Sequence, residues 1–169
     1  MSYPNILHNF GCWIDNRYKF GTAKTVKLPK FDYLSEEHIG GGMTGKTEIR
    51  FMAHEVIKAE AVFIDFNADD VALFGLGPRE ETEFQFRSAL TSEGESDFKS
   101  AVCFMRGYCG IEADDWKVAA ISGVTVPITA SYLHLTIEDR SILKLDPANG
   151  VWEANGKDIT RGLRRALGL

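Results

Sequence analysis

The sequence predicts a mainly β protein, an antiparallel β-sandwich or barrel with one or two short helices. Three observations carry that expectation. Apolar and polar residues alternate with period two along most of the chain, and turn residues punctuate the alternation at short intervals. No succession of strand–helix–strand units is present that could build a parallel sheet. The 169 residues are 44% hydrophobic and 25% charged, enough for one domain with a substantial core, and we expect a single domain over residues 1–169.

The elements follow in order. Residues 10–20 set Asp15-Asn16 between short apolar stretches, which starts a hairpin. The stretch from Thr25 to Leu28 ends at Pro29, whose ring holds Leu28 extended. From Glu48 the reading is double, because Ile49, Met52, Ala53 and Val56 suit a helical face while Ile49, Phe51 and Ala53 also alternate. Asn67 opens a short helix with acids in its first turn and Gly75 as its stop. Over residues 82–90, Phe84, Phe86, Ser88 and Leu90 share one face, and Glu83, Gln85 and Arg87 share the other. A polar tip at 91–96 leads into a return strand over 98–107. Residues 125–139 alternate again, with Val126, Ile128, Ala130, Tyr132 and His134 on one side and Leu133, Leu135 and Ile137 on the other. Pro127, which has no N–H to donate, marks an edge, a bulge or the first turn of that strand. Residues 141–147 are close enough to pair back onto it. A second helix starts at about Asp158 and carries Ile159, Leu163 and Leu167 as a narrow apolar stripe.

Charge and composition exclude several functions. With 24 acidic and 19 basic residues the net charge is −5, which works against a general nucleic-acid binder. The charges are unevenly placed. Acids gather at Glu80, Glu81 and Glu83, at Glu93, Glu95 and Asp97, and at Glu112, Asp114 and Asp115, whereas Lys157, Arg161, Arg164 and Arg165 make the last segment basic. These patches either complement each other between subunits or are solvated, the basic one complementing its own helix dipole. No apolar run approaches the roughly 18 residues of a spanning helix, and the N-terminus does not read as a secretory signal. Cys12, Cys103 and Cys109 are too few for a disulfide scaffold and are expected to stay reduced.

Catalytic chemistry is sparse. His8, His38, His54 and His134 are scattered without metal-ligand spacing, and no nucleophile elbow is present. One motif does match: residues 40–47 read Gly-Gly-Gly-Met-Thr-Gly-Lys-Thr, the phosphate-loop pattern in which Lys46 and Thr47 would serve phosphates and magnesium. Residues 61–65 even offer an apolar strand ending in Asp65. A phosphate loop leaves a buried parallel strand and enters a helix, yet the residues before Gly40 are half polar. The expectation is therefore a glycine loop between two strands, with no cofactor, no metal and no enzymatic activity. A P-loop phosphohydrolase and a free-standing β-sandwich binding module are the alternatives.

An ordered set of short landmarks points elsewhere. Leu28-Pro29-Lys30 is followed by Gly41-Gly42-Met43, then Met105-Arg106-Gly107, Asp115-Trp116-Lys117, and a long strand carrying Tyr132. Leu145-Asp146-Pro147-Ala148-Asn149-Gly150-Val151, Asn155-Gly156, Asp158 and a terminal Leu167-Gly168-Leu169 complete it. In this order, and over nearly the whole chain, the sequence resembles the major tail tube protein family of contractile phage tails and R-type pyocins. The resemblance implies a barrel-like subunit that forms hexameric rings stacked into a hollow tube inside a sheath. Its implied partners are further copies of itself, the tail sheath, and the baseplate and tail terminator proteins. DNA would only pass through the lumen, if the particle is a phage. The implied location is the virion tail, or a tailocin particle, made in the host bacterial cytoplasm, with no membrane insertion. Ile159, Arg161, Leu163, Arg164, Arg165 and Leu167 are the candidate assembly contacts, since so short a helix cannot stabilise its stripe alone.

Overall fold

The longest alternating run in the sequence becomes the strand on which the fold is organised. In the computed structural model, which describes residues 4–73, 80–92 and 96–169, the described residues form thirteen strands and two short α-helices. In chain order these are β1 (Asn5–Ile14), β2 (Arg17–Tyr18), β3 (Ala23–Lys27), β4 (Tyr33–His38), β5 (Thr47–His54), β6 (Ile57–Phe63) and α1 (Ala68–Ala72). There follow β7 (Thr82–Ser92), β8 (Lys99–Cys109), β9 (Glu112–Ala113), β10 (Val124–Ile137), β11 (Arg140–Asp146), β12 (Val151–Ala154), β13 (Lys157–Asp158) and α2 (Arg161–Leu167). Strand pairing is antiparallel throughout, as the alternation predicts.

The main sheet runs β13-β12-β11-β10-β8-β7-β1-β2, and it does not close into a barrel. Along one edge of β10, residues Val124 to Ala130 pair with β6, which carries β3, and Leu133 to Ile137 pair with β11. The other edge pairs with β8 and β9. One strand thus serves two sub-sheets, and a bulge in its pairing with β8, between Ala130 and Tyr132, marks the change. A single core joins them, built from Cys12, Ile14, Phe63, Phe84, Phe86, Met105, Val126, Ile128, Leu133 and Leu145.

The bulge corrects one expectation. Val126, Ile128 and Ala130 face the core, but the extra residue reverses the alternation, so that Leu133 is buried and Leu135 packs on the core while Tyr132 and His134 are only half-buried on the other face. Gly107 lies opposite Ala130, and a Cβ there would run into the Thr129 carbonyl oxygen, so the close approach of β8 and β10 at the bend demands glycine. Pro127 lies inside β10. Its missing donor points the way its carbonyl does, toward Gly110, where β8 has already ended.

Three hairpins turn on two-residue loops with both central residues at positive φ: Asp15-Asn16 (46°, 62°), Glu138-Asp139 (50°, 60°) and Asn155-Gly156 (51°, 72°). Their twist matches that of the flanking strands. Asn67 caps α1 by accepting from the Asp70 amide at 3.0 Å, and the expected stop at Gly75 lies outside the described residues. Helix α2 begins later than expected, at Arg161, because Lys157 and Asp158 are taken into β13. An ion pair that the sequence did not signal ties α1 down: Asp70, 1% exposed, meets the Lys19 ammonium.

Candidate assembly surface

The glycine-loop segment forms an exposed hairpin outside the main sheet. Strands β4 and β5 pair only with each other, as a separate two-stranded sheet whose residues are exposed along almost its whole length. The register gives it two unlike faces. Glu36 lies opposite Ile49 and His38 opposite Thr47, and Leu34 and Phe51 follow them at the register shift between Tyr33 and Ser35. Ile49 is 46% and Phe51 42% exposed, a large apolar display for a hairpin with no layer over it. The other face carries Ser35 opposite Arg50 and Glu37 opposite Glu48. There the charges satisfy one another, with Lys46 to Glu37 at 2.7 Å and Arg50 to Glu48 at 3.5 Å. Two-stranded hairpins are marginal by themselves in water. An amphipathic one held clear of its own core has the form of an assembly element.

This geometry also disposes of the phosphate-loop match. Residues 39–46 join two antiparallel strands, closed by a turn in which the Met43 amide donates to the Gly40 carbonyl at 3.1 Å, with Gly42 at a φ of 84°. The chain continues into β5 rather than a helix, so neither the parallel strand nor the helix N-terminus of a phosphate cradle is there. Lys46 points to Glu37, not to an anion site.

The second surface is the C-terminal segment. Leu163 is 45% and Leu167 65% exposed, and Ile159 is exposed as well, so the predicted stripe does not pack on the sheet. What secures α2 is a polar network. Arg164 pairs with Asp158 and donates to the Gly150 carbonyl at 3.0 Å, and the Thr160 hydroxyl donates to the same carbonyl at 2.8 Å. Burial acts to raise the Asp158 carboxyl, but the Thr160 hydrogen bonds and the Arg164 charge outweigh it and hold it below the ordinary value. Gly168, at a φ of 77°, ends the helix, and the Leu169 amide donates to the Arg164 carbonyl at 2.9 Å. Of the four basic residues, Arg164 is therefore engaged within the subunit, while Lys157, Arg161 and Arg165 project from an exposed surface.

The remaining landmarks divide in the same way. Asp146 caps the 3-10 turn Pro147–Asn149, which ends at Gly150 with a φ of 63°, and Asn155-Gly156 makes the β12–β13 turn. Of these positions Gly150 joins Asp158 at α2, its carbonyl accepting from both Thr160 and Arg164. Leu28, Pro29 and Lys30 leave β3 toward the hairpin, with Pro29 buried and Lys30 paired to Asp32 at 2.8 Å. Gly41, Gly42 and Met43 form the hairpin tip, Arg106 bridges to Glu81 at 3.0 Å, and Gly107 is the close approach described above. Asp115, Trp116 and Lys117 lie in an exposed loop where Trp116, 77% exposed, makes an edge contact with Phe66. They do not converge on one site. Of the acidic clusters, Glu93 and Glu95 lie outside the described residues.

Such a chain, with a sheet-built body, an uncovered amphipathic hairpin and a basic helix with an exposed apolar stripe, is a structural subunit of the class that completes itself by assembly. Comparison with known proteins agrees. The family model for phage tail tube protein FII matches residues 4–168. The chain is 24% identical over 160 residues to a major tail tube protein of Serratia phage KSP20, covering 94% of this chain and 92% of that one. It is 22% identical over 173 aligned positions to a tail tube protein of Escherichia phage P2, covering the whole of both. The chain belongs to the phage tail tube protein FII family, and its part is structural, as a component of a tail tube.

Proposed function

We propose that this chain, as a single domain, is the repeating subunit of the inner tube of a contractile tail, arranged in hexameric rings that stack inside a sheath. The observation that carries the reading is the β4–β5 hairpin, whose Ile49 and Phe51 stay close to half exposed in the subunit. Placed against a neighbour, it makes a heterologous contact, one surface meeting a different one, and such contacts form rings where the rotation between neighbours closes. Burying the exposed part of these two side chains contributes about 2 kcal/mol per contact, and the contact recurs at every subunit of the ring.

The exposed apolar edge of α2 and the exposed cations Arg161 and Arg165 serve a further contact, between stacked rings or toward the sheath. Six subunits at −5 each give a ring of roughly −30 before counterions. A tube with that charge lets a DNA backbone pass without adhering. Baseplate and terminator proteins would meet the two ends of the tube, and the subunit would act in a virion tail or tailocin particle.

Sedimentation velocity of the purified chain tests the reading. Wild type is expected to run as large polymers, and Ile49→Ser/Phe51→Ser to run much smaller while keeping its β-sheet circular dichroism. A wild-type chain that sediments as the 18.8 kDa monomer at every concentration and salt level contradicts it.

A further inference from the structure

Where the hairpin joins the body, one side chain of the main sheet meets both of its strands. At its root Tyr33 pairs with His54 across β4 and β5, and both rings lie on Trp152 of β12. Tyr33 sits at 5.2 Å from the indole, tilted by 33°, and His54 at 5.6 Å, edge-on at 81°. Beneath the contact is a cavity of about 210 Å³, lined among others by Phe31, Ile57, Leu143 and Leu145, so the root is not wedged in place by close packing on that side.

Trp152 itself is held hard. It packs against the core and pairs with Leu145. Its amide donates to the Thr160 hydroxyl at 3.3 Å, and its carbonyl accepts from the Ile159 amide at 2.8 Å. Thr160, buried in turn, belongs to the network with Asp158, Arg164 and the Gly150 carbonyl. A fixed indole behind a hairpin with space beneath its root is the arrangement of a stop.

The geometry points to Trp152 as the positioning residue that sets the angle at which the β4–β5 hairpin leaves the body, with the Asp158–Thr160–Arg164 network bracing it from the C-terminal side. Tubes repeat one contact geometry many times, so a small spread of hairpin angles in the free subunit is multiplied along the polymer. This inference rests on the hairpin being an assembly element and goes further, naming what aims it.

Pulsed electron–electron distance measurement reads the angle directly. Nitroxides are placed at Thr44→Cys, on the hairpin tip, and Lys157→Cys, beside β12, in a Cys109→Ser background. Cys12 and Cys103 are buried with thiols pushed up to about 12, which keeps them out of the labelling reaction. Trp152→Ala is expected to widen the distance distribution at least twofold and to raise the critical concentration for polymerisation about tenfold, and Trp152→Phe to recover most of both. Tyr33→Ser/His54→Ser removes the same contact from the hairpin side, leaves the core intact, and should widen the distribution equally, which covers the case of a Trp152→Ala chain that does not fold. An unchanged width in these variants overturns the inference, as does a widened distribution with wild-type polymerisation. The hairpin reading has its own control: Ile49→Ser/Phe51→Ser polymerising like wild type refutes that reading whatever the distance width.

Discussion

At the scale of single residues, the structure separates side chains that hold the subunit from those left for neighbours. Lys19 belongs to the first group. Removing its ammonium leaves the buried Asp70 carboxylate unpaired, so Lys19→Ala is expected to lose about 3–5 kcal/mol in chemical denaturation. Gly107→Ala forces a methyl against the β10 backbone and should cost about 1–3 kcal/mol or more. Lys46 belongs to neither core nor anion site. Lys46→Ala breaks an exposed pair with Glu37, worth about 0–1 kcal/mol, and should leave the denaturation midpoint nearly unchanged, with no nucleotide-dependent shift in Tm. Asp158 gives a pH signature. Its carboxyl is depressed below 3.8 in the folded chain, so the stability it contributes is present above that value and is lost as pH falls through the lower, folded value. Amide protection in 157–169, taken relative to the unstructured exchange rate at the same pH, should therefore fall below about pH 4, where a carboxyl of ordinary pKa takes up its proton, and Asp158→Asn should abolish that fall. None of Lys19, Asp70 or Trp152 could be singled out from the sequence, because what matters at each is a partner tens of residues away. Gly107 was legible as a landmark, but its reason, the neighbouring Thr129 carbonyl, was not.

At the scale of elements, short-range rules did well and long-range choices did less well. The strand over 82–90 and its inward Phe84 and Phe86 follow from period two alone, and Asp15-Asn16 from turn chemistry. The reversal after Ala130 was not legible, since one inserted residue leaves the alternation looking continuous on paper while moving Leu133 into the core. The double reading after Glu48 is resolved toward strand by pairing with β4, a tertiary preference that no propensity records. The C-terminal stripe was visible, and its partner was not. Because Arg164 is bound to Asp158 and Gly150, reversing all basic residues of α2 would mix loss of an internal brace with loss of an external contact. The clean variant is Arg161→Glu/Arg165→Glu. It should shorten polymers at 0.1 M salt, and 1 M salt should shorten the wild type, as the screening length drops from ~10 Å to ~3 Å. Equal polymer lengths in all four samples, measured by microscopy, would mean that these cations only complement the helix end.

At the scale of the whole molecule, the expected mainly β architecture is present, as two sub-sheets sharing β10 and not as a closed barrel. That openness follows from the chain. Strand β10 has fourteen residues, long enough to give β6 and β11 separate stretches of one edge, and the bulge lets it serve both. A subunit of this kind leaves strand edges, a hairpin and the apolar stripe of α2 uncovered, which in a monomer invites disordered aggregation and in a ring supplies the bonds. The distinction is symmetry, and it can be seen. End-on views of polymers formed by the purified chain, classified by electron microscopy without imposed symmetry, test the central claim most directly. Hollow rings with six-fold rotational symmetry, absent from Ile49→Ser/Phe51→Ser, are the expected result; dispersed monomers, or polymers with no lumen and no rotational symmetry, would contradict it.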